Sequence, residues 1–374
     1  MFKLAKLLAI VVLAFSMVPA AQAHPVASSS PSCVPAGDTG LTTLIVAKNQ
    51  QHITDMTIDA TGCDVGIFVP PDSKNVVIRD DEIFGANIHA IFVQDSTHIL
   101  IDHNNVHDNS VGVQNVTCDR PHEGQTCVNE GKAIQLDGTS HSLVSHNVIT
   151  KDLFGGISIA DDGPVDPGAP NPGTLLPAND NLVLGNQISQ VSHDCGIVVA
   201  AYNGQTISDN KILNNNIEGS LPPFGVNPYV GQIVVATDGP DAHIENTMIV
   251  NNVINGSTLP GIVLHANAPG DSISGTKIIS NTLGNNGYYP AFFSTPNTPV
   301  ATDGPTGISI VAEVNPQAPV TPPTISGTVL INNEISPDQN GVWLCNTSGT
   351  DMINTPNHQS DVTNPVAKCA AGGN

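Results

Sequence analysis

The sequence predicts an all-β fold, a solenoid of about ten coils with Pro-rich loop insertions. Three observations carry this expectation. The first is a recurring frame with an apolar residue three before an Asn and another two after it, as in Ile101–Asn104–Val106. It returns at Val144–Asn147–Ile149, Val183–Asn186–Ile188, Ile207–Asn210–Ile212, Ile249–Asn252–Ile254, Ile278–Asn281–Leu283 and Leu330–Asn333–Ile335, and Asp81 takes the Asn place between Ile78 and Ile83. The second is a unit that follows each frame, a small residue and then two aliphatics one position apart, as in Gly156-Ile157-Ser158-Ile159 and Gly261-Ile262-Val263-Leu264. The third is the spacing, since the closest copies lie 21 to 24 residues apart.

Each element of the repeat has a physical reason. A single coil is too thin to bury its own apolar face, and stacking coils at about 4.8 Å joins those faces into one aliphatic column. Asn suits the bend between two short strands because it tolerates positive φ. Its amide can also bond to like amides one coil above and below, forming a ladder. Asn109 stands outside the frame and is expected to be a silent position. Between repeats lie Pro- and Gly-rich inserts at 162–180, 217–231, 286–305 and 313–323. Inserts on one side of a solenoid shape a binding face, and these carry Phe224, Tyr229, Tyr288, Tyr289, Phe292 and Phe293.

The frame and the Gly-Ile strand resemble those of the right-handed parallel β-helix proteins, the pectin-lyase-like superfamily. The resemblance covers residues 43–346 and implies a single-stranded right-handed parallel β-helix. It is specific for fold and not for activity, because that superfamily contains lyases, hydrolases, epimerases and non-enzymatic adhesins. A narrower resemblance to polygalacturonase-type hydrolases rests on Asn129-Glu130-Gly131, Lys151-Asp152-Leu153 and Ser192-His193-Asp194, which precede successive strands. None of the three completes that family's pattern, and its Arg-Ile-Lys tripeptide is absent.

The ends of the chain fall outside the repeat. Lys3 and Lys6, the apolar run from Leu7 to Val18 and the small-x-small site Ala21-Gln22-Ala23 form a secretory signal peptide over 1–23. An N-terminal arm is expected at 24–42, the β-helix domain at 43–346 and a C-terminal tail at 347–374. No later apolar stretch approaches the roughly 20 residues of a spanning helix, so no membrane span is expected after leader cleavage. Seven cysteines in an exported chain suggest disulfides. The expected pairs are Cys33–Cys63, Cys118–Cys127 and Cys345–Cys369, leaving Cys195 as a buried structural thiol.

Charge narrows the partners. The whole chain carries −22 at pH 7, and −24 once Lys3 and Lys6 leave with the leader. Nucleic acid is excluded as a partner, since binding it needs clustered Lys and Arg. With only Arg79 and Arg120, a lyase relying on an arginine base has little to draw on. A neutral polysaccharide or glycan, a cationic partner or a Ca²⁺ site fits the acidity.

Strict alternation sorts the Gly-Ile strands into inward and outward positions. One outward column runs Phe68, Phe92, Gln135, Ser158, Val198, Val234, Val263, Ser309, Trp343; the next contains Gln94, Asp137, Ala160, Ala200, Ala236, His265 and Val311. Val198, Val234 and Val263 form an apolar strip needing a cover, either the Pro-rich loops or a second subunit in an oligomer. In the polar middle, Asp137, Asp161 and Asp162 end adjacent strands, while Glu130, Asp152 and His193 precede them. Adjacent coils would hold such carboxyls roughly 5 to 10 Å apart, the range of acid/base glycoside hydrolysis. The catalytic candidates are therefore Asp137, Asp161, Asp162, His193, Glu130 and Asp152, with Asp137 and Asp161 as the carboxylate pair. Solvated turn acids and a Ca²⁺ site remain open beside this. The functional expectation is a secreted protein acting on polysaccharide as a hydrolase or lyase-like enzyme, against a non-catalytic glycan- or protein-binding surface protein. At the bends, Asp80 and His103 are expected to pair, and Arg79 and Asp102 to form an ion pair between coils.

Overall fold

The computed structural model describes residues 32–111, 131–161, 176–191, 195–202, 204–219, 231–237, 241–257, 260–287, 306–312, 321–345, 353–354 and 357–368. Every regular element among them is a strand, and no helix among them is long and apolar enough to cross a membrane. A coil starts with Val65–Val69, turns through Val77–Arg79 and Glu82–Phe84, and returns one level higher in His89–Gln94. Equivalent strands of successive coils pair in parallel. The result is a parallel β-helix with one twelve-stranded wide sheet and two ten-stranded sheets. From the coil of Ile197–Ala201 onward an extra short strand opens a fourth side, Thr206–Ser208 with His243–Glu245, Ser272–Ser274 and Thr324–Ser326.

The interior is the aliphatic column that the alternation requires. Ile67, Ile91, Ile134, Ile157, Ile197, Ile233, Ile262, Ile308 and Val342 stack in register along the wide sheet and are fully buried. The bends are held by the amide ladder. The Oδ1 of Asn104 accepts the Asp81 N–H (3.0 Å), and the relation repeats through Asn147, Asn186, Asn215, Asn252, Asn281, Asn333 and Asn357 at 2.9–3.0 Å. Each of the Asn amides from Asn104 to Asn333 also donates to a main-chain carbonyl of the coil before, as Asn252 Nδ2 does to Ile212 O at 2.9 Å. The residue just before each ladder position, Asp80, His103, His146, Gly185, Asn214, Asn251, Ser280 or Asn332, lies at positive φ.

Five expectations need correction. Ile207–Asn210–Ile212 frames an earlier corner, and the ladder member of that coil is Asn215, between Ile212 and Ile217. The extra side of that coil uses the same bend device, with the Asn181 N–H bonded to Asn210 Oδ1 at 2.9 Å. Asn109 is no bystander either. Fully buried at another corner, it accepts the Ala86 N–H at 3.1 Å and donates to Ile83 O at 3.2 Å. Within the expected tail 347–374 the described strands Ile353–Asn354, His358–Gln359 and Asn364–Lys368 add to the three main sheets in parallel rather than standing apart. Arg79 and Asp102 are register partners, yet Arg79 Nε binds the adjacent Asp80 at 2.8 Å, while His103 turns to Asp102 rather than Asp80.

The N-terminal arm adds the first strand of the wide sheet. Val34–Pro35 pairs antiparallel with Thr42–Val46, and Ala36 and Leu41 pack on Val65, Phe68 and Phe92. Cys33–Cys63 ties the arm down, with Cα atoms 5.6 Å apart. Cys345 is disulfide-bonded; its expected partner Cys369 lies outside the described residues, as do Cys118, Cys127, the expected leader 1–23 and the aromatic residues of the inserts. Cys195 is a buried thiol.

Candidate active site

The outward columns of the wide sheet have the expected register. Phe92, Gln135, Ser158, Val198, Val234 and Val263 are successive partners, as are Gln94, Asp137, Ala160, Ala200, Ala236 and His265. The apolar strip is covered within the single chain: Val198, Val234 and Val263 are 7, 2 and 2% exposed and cluster with Cys195 and Ala200, with Tyr202 and Ala236 packed against them.

Asp137 and Asp161 sit at one edge of this sheet. Asp137 ends Lys132–Asp137, and Asp161 follows Gly155–Ala160 one coil on. Asp137 pairs in register with Ala160, so Asp161 is offset by one coil and one residue, about 6 Å at the backbone. Gln135 Nε2 donates to Asp137 Oδ1, and the Tyr202 N–H donates to Asp161 Oδ1 at 2.6 Å. Both carboxyls are buried, 2 and 1% exposed.

A third carboxyl on this edge went unnoticed in the sequence. Asp95 follows His89–Gln94 one coil before Asp137, and its N–H binds Asp137 O at 2.8 Å. A β-carbon at residue 138 would strike Asp95 Oδ1, so Gly138, at φ +55°, makes room for that carboxyl. Gly138 was the available signal, a glycine directly after a strand-ending Asp in the coil above Asp95.

Asp152 belongs elsewhere. It precedes Gly155–Ala160, and a six-residue strand spans roughly 16 to 20 Å, so it stands at the opposite edge from Asp161. There it occupies a corner, fully buried, with Ser110 Oγ 2.6 Å from its Oδ1. Burial pushes its carboxyl up to about 7, against hydrogen bonds from Ser110 and Asn109 and the nearby Lys132 ammonium. Lys132 also lies over the Phe154 ring, 5.2 Å from its centroid. On the adjacent coil His89 stacks on Phe92 and accepts the Lys132 N–H at 3.1 Å. Burial pushes His89 down to about 4, so its ring is neutral at pH 7. Of the six candidates, Asp137 and Asp161 lie on adjacent coils at one edge of the wide sheet and Asp152 at the other, while Glu130, Asp162 and His193 lie outside the described residues.

The family model described as the right handed beta helix region matches residues 42–219. PfbA, a surface adhesin of Streptococcus pneumoniae, is similar in structure at a TM-score of 0.54 and 12% identity, over 90% of this chain and 74% of that one. The chain has the right-handed parallel β-helix fold. Two further similar structures are the A-module of the Azotobacter vinelandii mannuronan C-5 epimerase AlgE6 and the catalytic unit of a GH87 α-1,3-glucanase from Streptomyces thermodiastaticus. The first has a TM-score of 0.48 and 13% identity, covering 88% of this chain and 78% of the other. The second has 0.39 and 12%, covering 88% of this chain and 50% of the other. No curated protein matches the chain by sequence. At these identities the likeness is one of fold.

Proposed function

We propose that this β-helix is a secreted protein that acts on polysaccharide, with Asp137 and Asp161 as its acid/base pair. The observation that carries the reading is their placement on adjacent coils at one edge of the wide sheet. Their backbone offset of about 6 Å is compatible with the carboxyl spacings of glycoside hydrolysis. Each is oriented by a donor, Gln135 Nε2 or the Tyr202 N–H, and Asp95 stands one coil before Asp137 at the same edge. The low count of Lys and Arg favours a neutral polymer over a polyanionic one. A second reading, a glycan-binding protein without catalysis, is favoured by the burial of both carboxyls.

The test is a screen of the secreted protein against neutral and acidic polysaccharides, recording reducing ends, unsaturated products and binding together. The enzyme reading expects new reducing ends from a neutral polymer. Unsaturated products would replace hydrolysis with elimination. Binding without either product, weakened by Asp161→Asn, would give the lead to the binding reading.

A further inference from the structure

The geometry points to a Zn²⁺ site at Asp102, His103 and His146, on the bend between the second and third sheets and away from the Asp137–Asp161 edge. Among the described residues this is the group that brings three potential ligand atoms within 4.8 Å of one another. Tetrahedral Zn²⁺ with bonds of about 2.0–2.1 Å to N and O separates its ligand atoms by about 3.3 Å. His103 Nδ1 lies 2.8 Å from Asp102 Oδ2, and His146 Nδ1 lies 3.2 Å from Asp102 Oδ1. Each imidazole nitrogen thus faces one oxygen of the same carboxylate, and side-chain shifts would bring the three ligand atoms, now within 4.8 Å of one another, to that spacing.

The repeat builds this arrangement. His103 and His146 occupy the same positive-φ position on adjacent coils, so their rings stack with centroids 4.8 Å apart. Asp102 precedes His103 and is the register partner of Ser145. Ser145 Oγ donates to Asp102 Oδ1 at 2.6 Å and fixes the carboxylate, the support that metal-bound carboxylates characteristically have. Arg79, the cation in the same column, is turned away to Asp80.

On the next coil the column carries Gly185, where a β-carbon would stand 3.0 Å from His146 Cδ2, so the glycine makes room for the ring. Further along, Asn214 and Asn251 hold the position, which confines the imidazole pair to two coils. The His side chains are 54 and 49% exposed, leaving water free to complete the coordination. Two imidazoles and one carboxylate suit Zn²⁺, Cu²⁺ or Ni²⁺; Ca²⁺ takes six to eight oxygens and is poorly served. A bound Zn²⁺ would clamp adjacent coils at their bend.

The test is titration of the purified protein, without a polyhistidine tag, with Zn²⁺ alone by calorimetry. The expected result is one saturable site that excess Ca²⁺ does not displace. His103→Asn and His146→Asn install the residue that later coils carry there, so both should fold, with melting temperatures in EDTA close to the parent. Each should weaken Zn²⁺ binding at least about 100-fold, and Ser145→Ala about 10- to 100-fold. Asp102→Asn, which keeps an oxygen for Ser145, is a further probe and should match the His variants. The nearby pair His98 and His141, with tilted rings 5.5 Å apart and Asp180 3.6 Å from His141, is the control. Absence of saturable binding, unchanged affinity in the Asp102 and His146 variants, or loss only in His98→Asn with His141→Asn would overturn the assignment.

Discussion

Three acids stand where the corners ordinarily use an amide: Asp81, Asp152 and Asp338. In each, Oδ1 accepts a hydrogen bond, from Met56 N, Ser110 Oγ or Asn286 N, while the buried Oδ2 has no partner among the described residues. An Asn would carry its Nδ2 donor at that second atom. Burial raises the three carboxyls to about 6, 7 and 7, so the protonated acid with its O–H stands in for the amide. At Asp152, Ser110 Oγ lies 2.8 Å from Ile88 O and 2.6 Å from Asp152 Oδ1. A folded-state value above the unfolded one means that the fold holds the proton more tightly. The stability this contributes is complete below about pH 4 and is lost as pH rises through about 6 to 7. Asp152→Asn and Asp338→Asn are therefore expected to raise the melting temperature at pH 8 and change it little at pH 4.5, in paired calorimetric scans. An equal shift at both pH values would show that these acids are ionised throughout. The sequence marked Asp81 as an amide substitute because its frame was intact. It did not mark Asp152, because a corner residue does not follow the alternation that sorts inward from outward along a strand.

At the scale of the element, the amide ladder is the unit of stability. Asn252 Oδ1 accepts from the N–H and Nδ2 of Asn215, and its own Nδ2 donates to Ile212 O and Asn281 Oδ1. Asn252→Ala leaves the Asn215 N–H and the Ile212 carbonyl buried and unpaired, at an expected cost of about 1–3 kcal/mol. Asn109→Ala strips the Ala86 N–H and the Ile83 carbonyl in the same way, so a comparable loss is expected there. Chemical denaturation of the two variants checks this, and a silent Asn109→Ala would restore it to bystander status. The strands were legible because the frame and the Gly-Ile unit each repeat with a fixed period. The misplaced frame at Ile207 arose because an extra corner also carries an Asn. The last coil went unseen because Ile353–Asn354 and His358–Gln359 are two-residue strands, too short for any alternation to show.

For the whole molecule, stacking converts a one-dimensional repeat into columns, and each column concentrates one chemistry. The inward columns are aliphatic and the first bend column is an amide ladder. The outer face of the wide sheet passes from Phe68 and Phe92 through Gln135 and Ser158 to Val198, Val234 and Val263. The register of that face was legible from alternation alone, which placed Asp137 and Asp161 on neighbouring coils. Asp95 was not, because its place depends on Gly138 admitting its side chain. The proposed chemistry separates two kinds of buried acid, the edge pair Asp137 and Asp161 and the corner acid Asp152. The most direct measurement compares Asp137→Asn, Asp161→Asn and Asp152→Asn in initial-rate assays on a polysaccharide the parent protein cleaves. Turnover is expected to fall at least about 100-fold in the first two, with unchanged melting temperatures, and to persist in Asp152→Asn. Full activity in both edge variants, or loss in Asp152→Asn alone, would contradict the edge pair as the catalytic site.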